Sequence, residues 1–118
     1  MQTNIIGTNL ELCCSSPMTG FYRDGTCRTS PEDTSRHTVC AILTNEFLEF
    51  SKAQGNDLTT AMPQYGSSGL KEGDKWCLCA LRWKEAYDSG CAPKIITEAT
   101  SNATLEFVSK EILLEYKV

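Results

Sequence analysis

Apolar and polar positions follow no period over the first thirty-eight residues and become regular only from Thr38 onward. Val39-Cys40-Ala41-Ile42-Leu43 is an unbroken apolar run, the pattern of a strand buried on both faces. Thr44 then serves as N-cap for a helix over about residues 45–54, with Phe47, Leu48 and Ser51 on one face and Gly55 as the stop. Residues 56–73 read as a loop holding Met62-Pro63 and three glycines, longer than most connections and so a candidate lid or functional segment. After Gly73-Asp74, Trp76–Ala80 reads as a second strand and 81–89 as a helix with Trp83, Ala86 and Tyr87 on its apolar side. Past Pro93, residues 94–98 and 104–108 suggest an antiparallel pair, and Ser109 caps a last helix carrying Ile112, Leu113 and Tyr116.

The order β-α-β-α-β-β-α predicts an α+β fold, a two-layer α/β sandwich with helices on one side of a small mixed sheet. In that layout Val39–Leu43 and Trp76–Ala80 are neighbours joined by a parallel, right-handed crossover. The irregular stretch is rich in turn chemistry: Ser15-Ser16-Pro17, Thr19-Gly20, Asp24-Gly25 and Ser30-Pro31. Asp24-Gly25 fits a two-residue hairpin turn. Ser30-Pro31-Glu32-Asp33 fits a cap, a proline at the first helical position and acids in the first turn. With no repeat and no linker, residues 1–118 form one domain: an irregular covering segment over 1–38 and a regular core over 39–118.

A length of 118 residues, 41% hydrophobic and 22% charged, is that of one globular domain able to bury a core without covalent staples. The net charge of -4 and the scattered Lys and Arg supply no basic stripe, which argues against nucleic acid. No apolar stretch reaches the ~18 residues of a bilayer span, which argues against a membrane. No leader pattern opens the chain, so a cytoplasmic location is expected. GxGxxG, Walker, GxSxG and HExxH motifs are all missing, and no cofactor is expected.

Chemistry centres on seven cysteines and one histidine. Cys77 and Cys79 lie two apart in a strand and share a face, either as a thiol site or as two small buried apolar residues. Their side chains would stand about 6–7 Å apart. Two sulfurs on one zinc need about 4 Å, so this pair does not suit one ion, and no bound zinc or other metal is expected in the protein. Cys27, near a turn and beside Arg28, is the best candidate for a reactive thiol, against the alternative of an ordinary surface cysteine. His37, three residues before Cys40, is either the chain's neutral-pH base or a hydrogen-bonding surface residue. An odd cysteine count and a reducing compartment predict mostly buried free thiols. The covering segment is expected on the sheet face opposite the helices, carrying Cys13 and Cys27 toward Cys77 and Cys79.

The candidate site is therefore Cys27, Arg28, His37, Cys40, Trp76, Cys77 and Cys79. The function expected is a non-catalytic module that binds a small molecule or a protein partner. The alternative is a thiol-redox or metal-binding protein using Cys27, Cys40, Cys77 and Cys79. Catalysis is left open.

Thr19-Gly20-Phe21-Tyr22-Arg23-Asp24-Gly25, Cys27-Arg28-Thr29, His37-Thr38-Val39-Cys40-Ala41, Phe47-Leu48-Glu49-Phe50-Ser51, Gly55-Asn56-Asp57-Leu58 and Gly73-Asp74-Lys75-Trp76-Cys77-Leu78-Cys79-Ala80 occur in this order along the chain. On these motifs the sequence resembles the domain-of-unknown-function 2237 family, small and mainly bacterial stand-alone proteins. The resemblance implies cysteines shared with the family at Cys13, Cys27, Cys40, Cys77 and Cys79, with Cys14 and Cys91 as additions. It also implies that a histidine common in the family is missing from the stretch Ser101-Asn102, which weighs against a His-ligated metal. It implies no reaction.

Overall fold

The computed structural model describes residues 2–60 and 69–118. Its sheet is a ribbon of two antiparallel strands, β1 (His37–Ile42) and β2 (Lys75–Cys79). This corrects the expected parallel crossover. Helix α1 (Asn45–Ala53) follows β1, and by Gly73 and Asp74 the chain is back at the point where β1 ends. There the Gly73 N–H donates to the Leu43 carbonyl at 2.8 Å, and the Leu43 N–H donates to Asp74 at 2.9 Å. These two bonds start β2 beside the end of β1, so the strands run in opposite directions.

The three α-helices among the described residues form where the local signals place them. Thr44 accepts the Phe47 N–H and opens α1, which turns Phe47, Leu48 and Ser51 inward. Helix α2 (Ala80–Asp88) follows β2 without a break and buries Ala80, Trp83 and Ala86. Ser109 accepts the Ile112 N–H and opens α3 (Lys110–Glu115), which buries Leu113. Met62-Pro63 and the middle of the proposed lid fall in 61–68, outside the described residues.

Residues 94–98 and 104–108 do not form the antiparallel pair that their spacing suggested. Only Ile95 bridges the free edge of β1, opposite Ala41, and a second single bridge joins it to Lys117. The rest winds into 3-10 turns at Thr97–Ala99 and Asn102–Glu106. The cause is local competition for backbone groups. The Thr100 hydroxyl donates to the Ile96 carbonyl, the Ser101 hydroxyl accepts the Ala103 N–H, and the Thr104 hydroxyl donates to that of Thr38. Nor does Asp24-Gly25 make a hairpin: Asp24 instead accepts the Thr26 N–H and hydroxyl, and no strand flanks it. Ser30–Asp33 closes a single turn and not a helix. The observed fold is α+β, and among the described residues the sheet is one two-stranded ribbon where a mixed sheet was expected.

Alternation in the ribbon creates two buried layers. Val39, Ala41 and Leu78 face the main core with Leu43, Phe47, Leu48, Trp83, Ile95 and Leu113. Cys40 and Cys77 face the other way, into a smaller cluster with Cys13, Cys27 and Ala99. Residues 2–36, which hold no helix or strand of their own, cover that second face. Trp83 anchors the larger layer: it is fully buried, stacks on Tyr87 at 5.8 Å, meets Tyr116 edge-on at 5.2 Å, and donates its Nε1–H to Pro93. Trp83→Ala is expected to destabilise the chain by about 3–5 kcal/mol, read from urea midpoints. Exposed Leu81→Ala should cost under about 1 kcal/mol in the same assay.

Candidate functional site

The ribbon brings Cys40 and Cys77 directly opposite one another. Neither uses its backbone N–H on the other: Cys40 donates to the Thr100 hydroxyl at 3.2 Å and Cys77 to the Thr19 hydroxyl at 2.8 Å. The Cys40 carbonyl accepts from Ile96, again away from β2. The two cysteines are thus a non-hydrogen-bonded pair, the class in which facing side chains approach most closely.

Cys13 and Cys27 reach this pair from the covering segment. Cys13 is disulfide-bonded to Cys40 and Cys27 to Cys77, with Cα separations of 5.7 and 5.3 Å. All four are buried, and the sulfurs of Cys13, Cys27 and Cys77 lie within 4.8 Å of one another although they belong to two different bonds. Two glycines shape the loop that delivers them. Gly20 and Gly25 have φ of +99° and +88°, where a side chain is strained. A β-carbon at Gly20 would collide with the Thr26 carbonyl oxygen, and one at Gly25 would lie 2.9 Å from that of Cys14.

Several expectations change here. Four of the seven cysteines are disulfide-bonded, so the thiols are not mostly free; Cys14, Cys79 and Cys91 are. Cys27 is fully buried and bonded, not an exposed reactive thiol. Arg28 turns away, pairing with Asp24 at 2.6 Å and lying over the Tyr22 ring at 4.0 Å. Cys79 shares its strand with Cys77 but sits at the last residue of β2, next to α2 and outside the sulfur cluster.

Cys79 belongs to a neighbouring cavity of about 400 Å³, which also takes in His37, Trp76, Phe21, Arg23 and Arg82. A bulge makes this possible. Thr38 has no partner on β2, so the register jumps from Val39–Leu78 to His37–Cys79. The extra residue re-aims His37 across from Cys79. His37 is held in turn by Asp33, whose Oδ1 lies 2.7 Å from its Nδ1. Asp33 is fully buried and also accepts the His37 N–H and the Thr29 hydroxyl. Burial raises its pKa, but the bonds from the His37 ring, the His37 N–H and Thr29 outweigh this and hold the carboxyl below its ordinary value of 3.8. A carboxylate only accepts, so Nδ1 carries the proton and Nε2 is left for a ligand. Phe21 stacks on the imidazole at 6.1 Å.

Of the expected site residues, Cys27, Cys40 and Cys77 meet in the sulfur cluster. His37, Trp76, Cys77 and Cys79 line the cavity, and Arg28 joins neither. Sequence reasoning passed over Asp33, Arg23 and Arg82. The i,i+4 spacing of Asp33 and His37 was the available signal for the first. The arginines come from the Gly20 turn and from α2, with nothing local to mark them.

Asp33→Ala should lower stability by about 3 kcal/mol, because two donors on His37 and one on Thr29 lose their acceptor. A depressed carboxyl pKa stabilises above the unfolded value and is lost as pH falls through the folded one. The gap between wild type and Asp33→Asn in urea melts should therefore be full at neutral pH and narrow below about pH 4.

No protein of curated function matches this sequence. A family model described as an uncharacterized protein conserved in bacteria (DUF2237) matches residues 3–117. With its cysteines, its glycine turn and its ribbon all inside that span, the chain belongs to the DUF2237 family.

Proposed function

We propose that the protein is a small-molecule-binding module whose ligand is an anion with an apolar or aromatic part, held in the cavity beside Cys79. One observation carries this reading. On a chain of net charge -4, the described lining includes Arg23, Arg82 and His37 and no carboxylate. Such a lining concentrates positive potential where the rest of the surface is acidic. Phe21, Trp76 and Leu58 supply the apolar contact, and Arg23 already lies over the Trp76 ring at 5.3 Å. The size suits a compact ligand. Arg82 is partly engaged by Glu85 at 3.3 Å, so Arg23 is the freer cation.

A second reading is favoured by the placement of His37. An imidazole oriented by a buried carboxylate and set across from a free thiol is the arrangement of a nucleophilic cysteine and its base. In that reading Cys79 sulfur adds to an electrophilic carbon while its proton passes to His37 Nε2.

Titration with benzoate and phenyl phosphate, followed by Trp76 fluorescence and amide shifts, tests the binding reading. Saturable shifts at Trp76, His37 and Arg23 are expected, and Arg23→Ala should weaken binding about tenfold. Benzylamine should not compete. Equal binding of the cation, or no response to either anion, contradicts it. The thiol reading predicts that iodoacetamide modifies Cys79 several-fold faster in the native chain than in His37→Ala, with Cys14 and Cys91 unaffected.

A further inference from the structure

The sulfur cluster lies beside the cavity but has its own geometry. Cys40 and Cys77 come from facing strands, and Cys13 and Cys27 come from above them. Three of the four sulfurs already fall within 4.8 Å of one another, and the fourth, on Cys40, is bonded to one of those three. Among the described residues Ala99 and Ile96 pack around them, with the hydroxyls of Thr19 and Thr100 on the backbone N–H groups of Cys77 and Cys40. A tetrahedral zinc with Zn–S bonds of about 2.3 Å has sulfurs about 3.8 Å apart. Reduction would let each bonded pair open toward that spacing while Cys13 closes on Cys27 and Cys77 by on the order of 1 Å, and Cys40, whose sulfur is not within 4.8 Å of all three others, would swing further inward. Half of the ligands ride on irregular backbone, which can make that adjustment without breaking a helix or strand. The earlier objection to zinc rested on Cys77 and Cys79 as joint ligands. Here Cys79 is not needed, because β1 supplies Cys40 instead.

We infer that Cys13, Cys27, Cys40 and Cys77, when reduced, form a tetrathiolate site for a thiophilic divalent cation such as zinc, and that the two disulfides are its oxidised, metal-free state. The conversion needs an oxidant of the low-molecular-weight disulfide class. Two molecules of that disulfide oxidise the zinc-bound tetrathiolate: two protein S–S bonds form, four Zn–S bonds and two reagent S–S bonds break, and Zn²⁺ leaves with four small thiolates. Four electrons pass from the cysteines to the reagent, and the total charge is -2 on both sides. Metal loss and disulfide formation are then one event at one place. This does not depend on which ligand occupies the neighbouring cavity.

The test uses the full chain, reduced with a phosphine under anaerobic conditions and freed of metal, then titrated with zinc against a chromophoric chelator and weighed by native mass spectrometry. One zinc per reduced chain is expected, and none on the chain carrying both disulfides. Cobalt should report four sulfur ligands by its thiolate charge-transfer bands. Cys27→Ser and Cys77→Ser should each weaken zinc binding at least ~100-fold, while Cys14→Ser, Cys79→Ser and Cys91→Ser leave it unchanged. Should the reduced, metal-free chain unfold, zinc must restore its circular dichroism. A folded reduced chain that takes up no zinc, an unfolded one that zinc does not restore, or binding that survives Cys27→Ser overturns the inference. So does binding that requires Cys79.

Discussion

A two-stranded ribbon is too small to be stable alone, and both of its faces must be covered before it can organise anything. Here the helices cover one face with an ordinary apolar core, and a segment without helix or strand covers the other. What joins that segment to the ribbon is chiefly sulfur. By chain entropy, cross-links spanning 27 and 50 residues are each worth about 4 kcal/mol, with the two loops overlapping and so not fully additive. The cavity depends on the same attachment, since Phe21 and Arg23 ride on the loop between Cys13 and Cys27 while His37, Trp76 and Cys79 ride on the ribbon. Positive-φ glycines at 20 and 25 give that loop its path.

Much of the fold was legible because its signals are local. The caps Thr44 and Ser109, the glycine stop after α1 and the apolar runs at 39–43 and 76–80 each act within a few residues, and each marks an element close to where it forms. Strand direction was not local. It is set by the Gly73–Leu43–Asp74 hydrogen bonds across thirty residues of connection, which no periodicity records. Between the failed strands at 94–98 and 104–108 stands Thr100, a residue that favours a strand by shape but here bonds the nearby Ile96 carbonyl. One bridge at Ile95 is what remains of them.

The candidate site shows the same division. Burial of Val39–Leu43 on both sides already required a cover, and the cover was bound to bring cysteines from the first thirty residues. Which cysteines meet was not legible, because alternation places Cys77 and Cys79 on one face and says nothing of where the strand ends. β2 ends at Cys79, and the bulge at Thr38 sets His37 opposite it. Those two features separate a buried sulfur cluster from a thiol open to the cavity, leaving two chemically distinct centres within one short ribbon. Asp33 was read as a first-turn acid of a helix capped by Ser30; no helix forms there, and Asp33 instead accepts from Thr29 and His37, four residues away on either side.

The cysteine pairing is the most direct measure of whether the irregular segment is fastened to the ribbon in this way. The oxidised protein, alkylated without reduction and digested, should give peptides linking Cys13 to Cys40 and Cys27 to Cys77. Cys14, Cys79 and Cys91 should carry the alkyl group. A peptide joining Cys27 to Cys79, or alkylation of Cys40 and Cys77 in the folded oxidised chain, would contradict the account.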